Sequence, residues 1–324
     1  MAITITGGAT LTGGANMGTG GSPSPGGGYS FQGSNFGYAT TGVSASTGEV
    51  TAKIQKFSLT SDANASNIGD MTVARYRGAG QSSSTSGYTS GGNGSGGPVI
   101  DKFSFSSDGN GTDVGDLTVS RNLTAGQSSS ENGYTTGGSP SMTNVIDKFP
   151  FASDGNATDV GDLTIAMNGV GSQSSSTSGY ASGGSTPSSS LSNVINKFAF
   201  ASDGNATDVG DLSQGRSRNC GQSSTTFGYN SGGSNPSGPS NRVNTIDKFP
   251  FASDGNATDV GDMSSAASDP AGVSSTSSGY AVGGDSGPVS SLNNIDKFDF
   301  TSDGNASNVA NLSDGSNGPA GQQY

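Results

Sequence analysis

The sequence predicts an all-β chain: a six-bladed β-propeller with four strands per blade, behind a short N-terminal β-hairpin and Gly-rich leader. A Lys-Phe pair recurs at Lys56, Lys102, Lys148, Lys197, Lys248 and Lys297, at intervals of 46, 46, 49, 51 and 49 residues. Periods near 50 belong to propeller blades or solenoid coils. Each period carries four strand-sized pieces parted by Gly, Ser and Asp turns, with no helical spacing of apolar residues. Only 29% of the residues are hydrophobic, with 56 Gly and no Trp. A single repeat therefore lacks the apolar surface to offset the entropy of ordering it, and neighbouring repeats have to bury one another.

In chain order, residues 1–28 read ITIT, GG, ATLT, GG and then a Gly/Ser/Pro tract. Two short alternating strands across a Gly-Gly turn followed by a linker are expected there. A lone hairpin is marginal in water, so the segment is either an unattached leader or an anchor, in which Ile3, Ile5 and Leu11 are the candidate residues that pair with a partner's sheet edge. Residues 29–324 form the second region, the six-repeat propeller.

The third repeat shows the unit. Ala125 to Ser130 is small and polar, Gly133 to Gly138 ends in a glycine doublet, Val145 to Phe151 carries two Phe on one face, and Ala157 to Leu163 closes the unit. Between the last two lies Ser153-Asp154-Gly155-Asn156, whose Asp-Gly pair signals a tight hairpin. At the C-terminus, Ala320-Gly321-Gln322 aligns with Ala125-Gly126-Gln127. The C-terminal strand is thus expected to close the ring beside the Tyr38 strand, with Tyr29 to Asn35 as the competitor for that place.

From each repeat's Lys to the next repeat's Tyr the interval is 32 residues throughout, as in Lys56 to Tyr88 and Lys248 to Tyr280. From Tyr to the following Lys it runs 18, 14, 14, 17, 19 and 17. One loop per blade therefore absorbs all the insertions, and equivalent loops emerge on one face, the face that binds. The three longest in the full repeats, Ser185 to Asn193, Ser234 to Asn244 and Asp285 to Asn293, supply the candidate binding residues Ser185, Pro187, Asn235, Pro236, Arg242, Asp285 and Pro288.

Small-residue strand, Tyr-x-x-Gly-Gly, aromatic-ended strand and final strand together resemble a kelch-type repeat over Tyr38 to Gln322. Val114, Val160, Val209 and Val260 stand near the place where kelch repeats usually carry Trp. The wording IDKFPFASDGNATDVGDL with AGQSSSTSGYTSGG is also similar to repeat proteins of tailed phages of marine cyanobacteria. That resemblance implies a virion setting, for a protein made in the host cytoplasm.

Other motifs have simpler readings. Asp154-Gly-Asn156 through Asp159 and Asp162 is oxygen-rich, but it lacks the residue order and terminal Glu of an EF-hand, and a hairpin turn explains it without calcium. Cys220 occupies a slot filled by Ala79, Ala125, Val170, Ala271 and Ala320, as a small apolar residue would. The repeat lysines are expected to pair with Asp101, Asp147, Asp247 and Asp296. Arg75 with Arg77, Arg121, and Arg216 with Arg218 fall in the register of a sialidase-like cluster, which Met167 and Ala266 interrupt.

Formal charge is −12, with 13 cations against 25 acids, which disfavours a nucleic-acid partner. MAITITGGATLTGG has no basic n-region, and no apolar run reaches the roughly 18 residues of a span, so neither Sec export nor membrane insertion is expected. The single Cys forms no internal disulfide framework. With no His, and with Glu49 and Glu131 in unrelated repeat positions, no catalytic constellation emerges. No metal or cofactor is expected.

The expected function is that of a non-enzymatic virion protein, tail- or fibre-associated. It would attach to other virion proteins through the leader and bind a host-surface glycan or protein, or a virion partner, through the variable loops. Capsid decoration, a glycan-acting hydrolase and a cytosolic kelch-like scaffold are the alternatives.

Overall fold

A computed structural model describes residues 32–94, 96–235, 241–287 and 291–324. It is an all-β propeller of six four-stranded antiparallel blades, and the described residues contain no α-helix. Blade three consists of Ala125–Ser128, Asn132–Thr136, Val145–Pro150 and Thr158–Asp162, running outward from the central axis. The expected strands are all present, but shorter. Gly137 and Gly138 lie beyond the second strand at φ 64° and 122°, where they open the variable loop instead of ending the strand. The third and fourth strands pair around a bulge between Ile146 and Asp147.

The Asp-Gly pair does not make a two-residue hairpin turn, since residues 151–157 separate the paired strands. The reason is contact with the preceding blade. Lys102 donates to Asp154 Oδ1 at 3.0 Å, the Asp116 amide donates to Asn156 Oδ1 at 3.0 Å, and the Ala157 amide donates to the Asp116 carbonyl at 2.8 Å. All six blades repeat the first contact, through Asp62, Asp108, Asp154, Asp203, Asp254 and Asp303. The repeat lysines thus bridge blades through the loop aspartates and not through Asp101, Asp147, Asp247 and Asp296.

Those four aspartates are buried. Three face the buried arginines: Arg75–Asp101 at 2.8 Å, Arg121–Asp147 at 2.9 Å and Arg216–Asp247 at 3.1 Å. Each aspartate also receives the backbone amide that follows the preceding fourth strand, as from Thr118 to Asp147 at 3.0 Å. Arg75, Arg121 and Arg216 are therefore structural and form no sialidase-like cluster. Ala267, not Ala266, occupies the equivalent position in blade six, as its amide bond to Val243 parallels that of Met167 to Thr143.

The last strand, Ala320–Gln323, closes the ring on Phe36–Ser44, with Tyr38 opposite Gln322 and Ala39 opposite Gly321. Val50–Ser58 and Ser66–Asp70 complete that first blade. The competing segment, of which residues 29–31 lie outside the described residues, does not fill the slot. Gly33 instead makes a parallel bridge to Ser275 of blade six.

Blade-to-blade packing accounts for the aromatic pattern. Tyr134 stacks on Phe200 with centroids 5.0 Å apart and tilts against Phe198 at 5.4 Å. Tyr38, Tyr88, Tyr180 and Tyr229 meet the Phe-x-Phe of their neighbours in the same way, while Tyr280 meets Phe57. The residue before Tyr is Gly because a Cβ on Gly133 would stand 2.3 Å from its own blade's Phe149 ring. Val114, Val160, Val209 and Val260 are half-buried against these clusters.

Around the axis the inner strands form a closed belt. The Ser82 amide donates to Ser128 Oγ, Ser128 to Ser174, Ser174 to Ser223, Ser223 to Ser274, Ser274 to Gln323 Oε1, and Gln323 back to Ser82 Oγ. Cys220 sits in this layer, buried opposite Ser231, and burial pushes its thiol up to about 12. Its equivalent in blade four is Gly171, opposite Ser182, with Val170 one residue earlier.

Candidate functional site

The two faces of the ring differ in kind. On one, the described chain enters beside the axis. Gln32 Nε2 donates to the Ser223 carbonyl at 3.1 Å, the Gly33 amide donates to Ser274 at 2.9 Å, and the amides of Ser34, Asn35 and Phe36 all donate to the Tyr324 carbonyl. The Lys–Asp bridges lie toward this face, at the loops joining third and fourth strands.

The variable loops stand on the other face, against the segments that lead from each fourth strand back to the axis. Ser185 bridges Asn168 and Leu191, Ser234 bridges Ser217 and Arg242, and Asp285 bridges Ser268 and Ser291. Blade five's loop touches blade six's through Arg242, which donates to the Asp285 carbonyl at 2.8 Å and to its carboxylate at 2.7 Å. Ser185, Asn235, Arg242 and Asp285 are half-buried and Pro187 is exposed on this face. Pro236 and Pro288 lie outside the described residues, as do Ile3, Ile5 and Leu11.

Ser185 and Asn235 meet in a groove of about 530 Å³ whose lining also includes Leu123, Met142, Asn168 and Arg218. Among the described residues the lining holds hydroxyl and amide groups, three aliphatic side chains and one cation, with no acid. Such a wall donates and accepts hydrogen bonds while offering apolar patches, and suits a polar, uncharged or anionic ligand.

At the axis the groove meets the channel mouth, a cavity of about 60 Å³ that shares Leu123 and Arg218 with it. Here each blade contributes one residue of left-handed backbone: Arg77, Leu123, Gly169, Arg218, Asp269 and Gly318, with φ from 55° to 67°. That conformation turns each amide to the carbonyl of the preceding blade. Leu123 donates to Arg77, Gly169 to Leu123, Arg218 to Gly169, Asp269 to Arg218, Gly318 to Asp269 and Arg77 to Gly318, at 2.6–3.1 Å. The circle is complete, so the backbone groups are spent on one another and the mouth presents side chains. Left-handed φ at Leu123 is costly for a bulky residue and persists because the surrounding ring fixes it.

Three of those side chains are charged. Arg77 pairs with Asp269 at 2.9 Å, and Arg218 approaches the same carboxylate oxygen at 3.9 Å. Burial pushes the Asp269 carboxyl up, opposed by Arg77 and Arg218. Sequence alone grouped Arg77 and Arg218 with Arg75 and Arg216; the left-handed residue sends the second arginine of each pair to the mouth and leaves the first in the wall. The one available signal for Asp269 was its alignment with Arg218, in Asp269-Pro270 against Arg218-Asn219.

Solved structures share this architecture. "Structure of YjhT" matches with a TM-score of 0.62 at 13% identity, covering 77% of this chain and 88% of that one. In all, 235 solved chains match, so the likeness establishes the propeller fold and no particular activity. No protein-family profile matches the chain, and no curated protein does.

Proposed function

We propose that the chain is a non-enzymatic binding propeller, tethered through the residues that precede Gln32 and reading its partner with the opposite face. The observation that carries this reading is that the chain entry at Gln32 and Gly33 and the length-variable loops occupy opposite faces of one ring. A module hung from one face leaves the other free to meet a ligand. The resemblance of the repeat wording to tailed-phage proteins favours a virion setting, in the tail or fibre. There Ile3, Ile5 and Leu11 would engage another virion protein, and the loops a host-surface glycan or protein. Capsid decoration uses the same two faces with a different attachment point.

A glycan-acting hydrolase is the reading from another class. It calls for two carboxylates flanking a bond, whereas Asp269 is the one acid among the described residues lining the mouth and is held by Arg77. The experiment is deletion of residues 1–28 followed by purification and particle assembly. A soluble, folded propeller that no longer enters particles supports the tether; full incorporation without the leader overturns it and makes the loop face the attachment surface.

A further inference from the structure

We propose that the channel mouth is an oxyanion site, where Arg218 and Arg77 hold a carboxylate or phosphate group borne by a ligand lying in the adjoining groove. The ligand's body rests on the loop-face reading above; the anion itself rests on the mouth alone.

Both guanidinium groups come within 4 Å of one carboxylate oxygen, so the mouth gathers two positive charges around a single negative one. Among the described lining residues, Asp269 is the sole acid of the mouth and the groove has none, in a chain of net charge −12. One positive charge is left over. Arg77 spends one donor on Asp269, while its buried Nε has no hydrogen-bond partner. Arg218 makes no side-chain hydrogen bond among the described residues, and its side chain is 40% exposed. Its 3.9 Å approach to Asp269 is longer than a hydrogen bond, so its donor fork is unspent.

The two glycines of the ring shape the site. A Cβ on Gly318 would stand 2.9 Å from Arg77 Cγ, and one on Gly169 would stand 3.3 Å from Arg218 Cγ. Each arginine stem therefore lies across a glycine, which keeps both guanidinium groups over the mouth. An oxyanion placed there accepts charge-assisted hydrogen bonds from the planar forks, the geometry in which arginine recognises carboxylate and phosphate. Because Arg218 and Leu123 also line the groove, a ligand seated in it would bring its charged group to this point.

The test is calorimetric titration of the full chain with inorganic phosphate and, separately, with acetate, at constant ionic strength. Saturable binding of either probe is expected, and whichever binds identifies the group recognised. Arg218→Gln should weaken it about tenfold or more, Lys102→Gln on the opposite face should leave it unchanged, and Asp269→Asn should tighten it by removing the competing carboxylate. Absence of saturable binding for both probes, or equal affinity in wild type and Arg218→Gln, would overturn the proposal. If Arg218→Gln does not fold, Asp269→Asn decides: affinity equal to or weaker than wild type rejects the site. Replacing residues 185–193 should abolish recognition of a larger partner while sparing phosphate or acetate binding, so failure of the loop reading is distinguishable from failure of the anion site.

Discussion

Asn196 lies against Met167, its Nδ2 3.9 Å from the sulfur, in the position where blade three sets Asp147 against Arg121 at 2.9 Å. In blade four the cation and the charge of its acid are lost together. Asn196 still accepts the Thr164 amide at 3.0 Å, as Asp147 accepts that of Thr118, so the anchoring role survives without the charge. Arg121→Met should cost about 3–5 kcal/mol by stranding a buried carboxylate. The double variant Arg121→Met/Asp147→Asn, which copies blade four, should recover most of that loss. Denaturant unfolding of the single and double variants measures the coupling; strictly additive losses would contradict the pairing.

Blade six breaks the same rule in the other direction. Asp296 is buried opposite a position held by Ala267, so it has the carboxylate without the arginine. Burial pushes its carboxyl up, and the hydrogen bonds from Ser264 only partly oppose this. Between the unfolded value of about 3.9 and the raised native one, the folded chain binds more protons than the unfolded chain. Stability contributed here therefore falls as pH rises through that window and stays low above it. Asp296→Asn should raise the Tm at pH 7 and lose its advantage as the pH approaches 4; thermal melts across that range that show no gain at pH 7 would refute the assignment.

The tyrosines act as wedges between blades. Tyr134→Ala should destabilise by about 3–5 kcal/mol, because it empties the space between Phe198 and Phe200. Tyr229→Phe should be neutral or slightly stabilising, since the Tyr229 hydroxyl is buried without a hydrogen-bond partner. Chemical denaturation of both variants separates ring packing from the hydroxyl.

Blade number, strand order and closure were legible in the sequence because each is set by a spacing. A constant 32 residues from Lys to Tyr fixes the scaffold, and Ala320-Gly321-Gln322 repeats the inner-strand words. The lysine partners were not legible. An Asp recurs at the Asp154 position in all six units and at the Asp101 position in four of them, and only the loop's departure from a tight hairpin carries Asp154 to Lys102. The channel mouth was hidden for a similar reason. Arg75 and Arg77 are two residues apart, a spacing that in a regular strand puts both on one face, and the positive φ of Arg77 parts them. The variable loops were picked out by length, but the groove shared by those of blades four and five also depends on Leu123 and Arg218, which come from outside them.

The central claim is that the loop face, built on a scaffold indifferent to loop length, recognises the partner. Residues 185–193 and 234–244 can be replaced by the shorter loop of blade three, with stability and binding of the full chain to host-cell surface material measured together. Loop closure depends weakly on length, so unfolding free energy should change by less than about 1 kcal/mol while binding is lost. A variant that unfolds, or one that folds and still binds as wild type, would contradict the account.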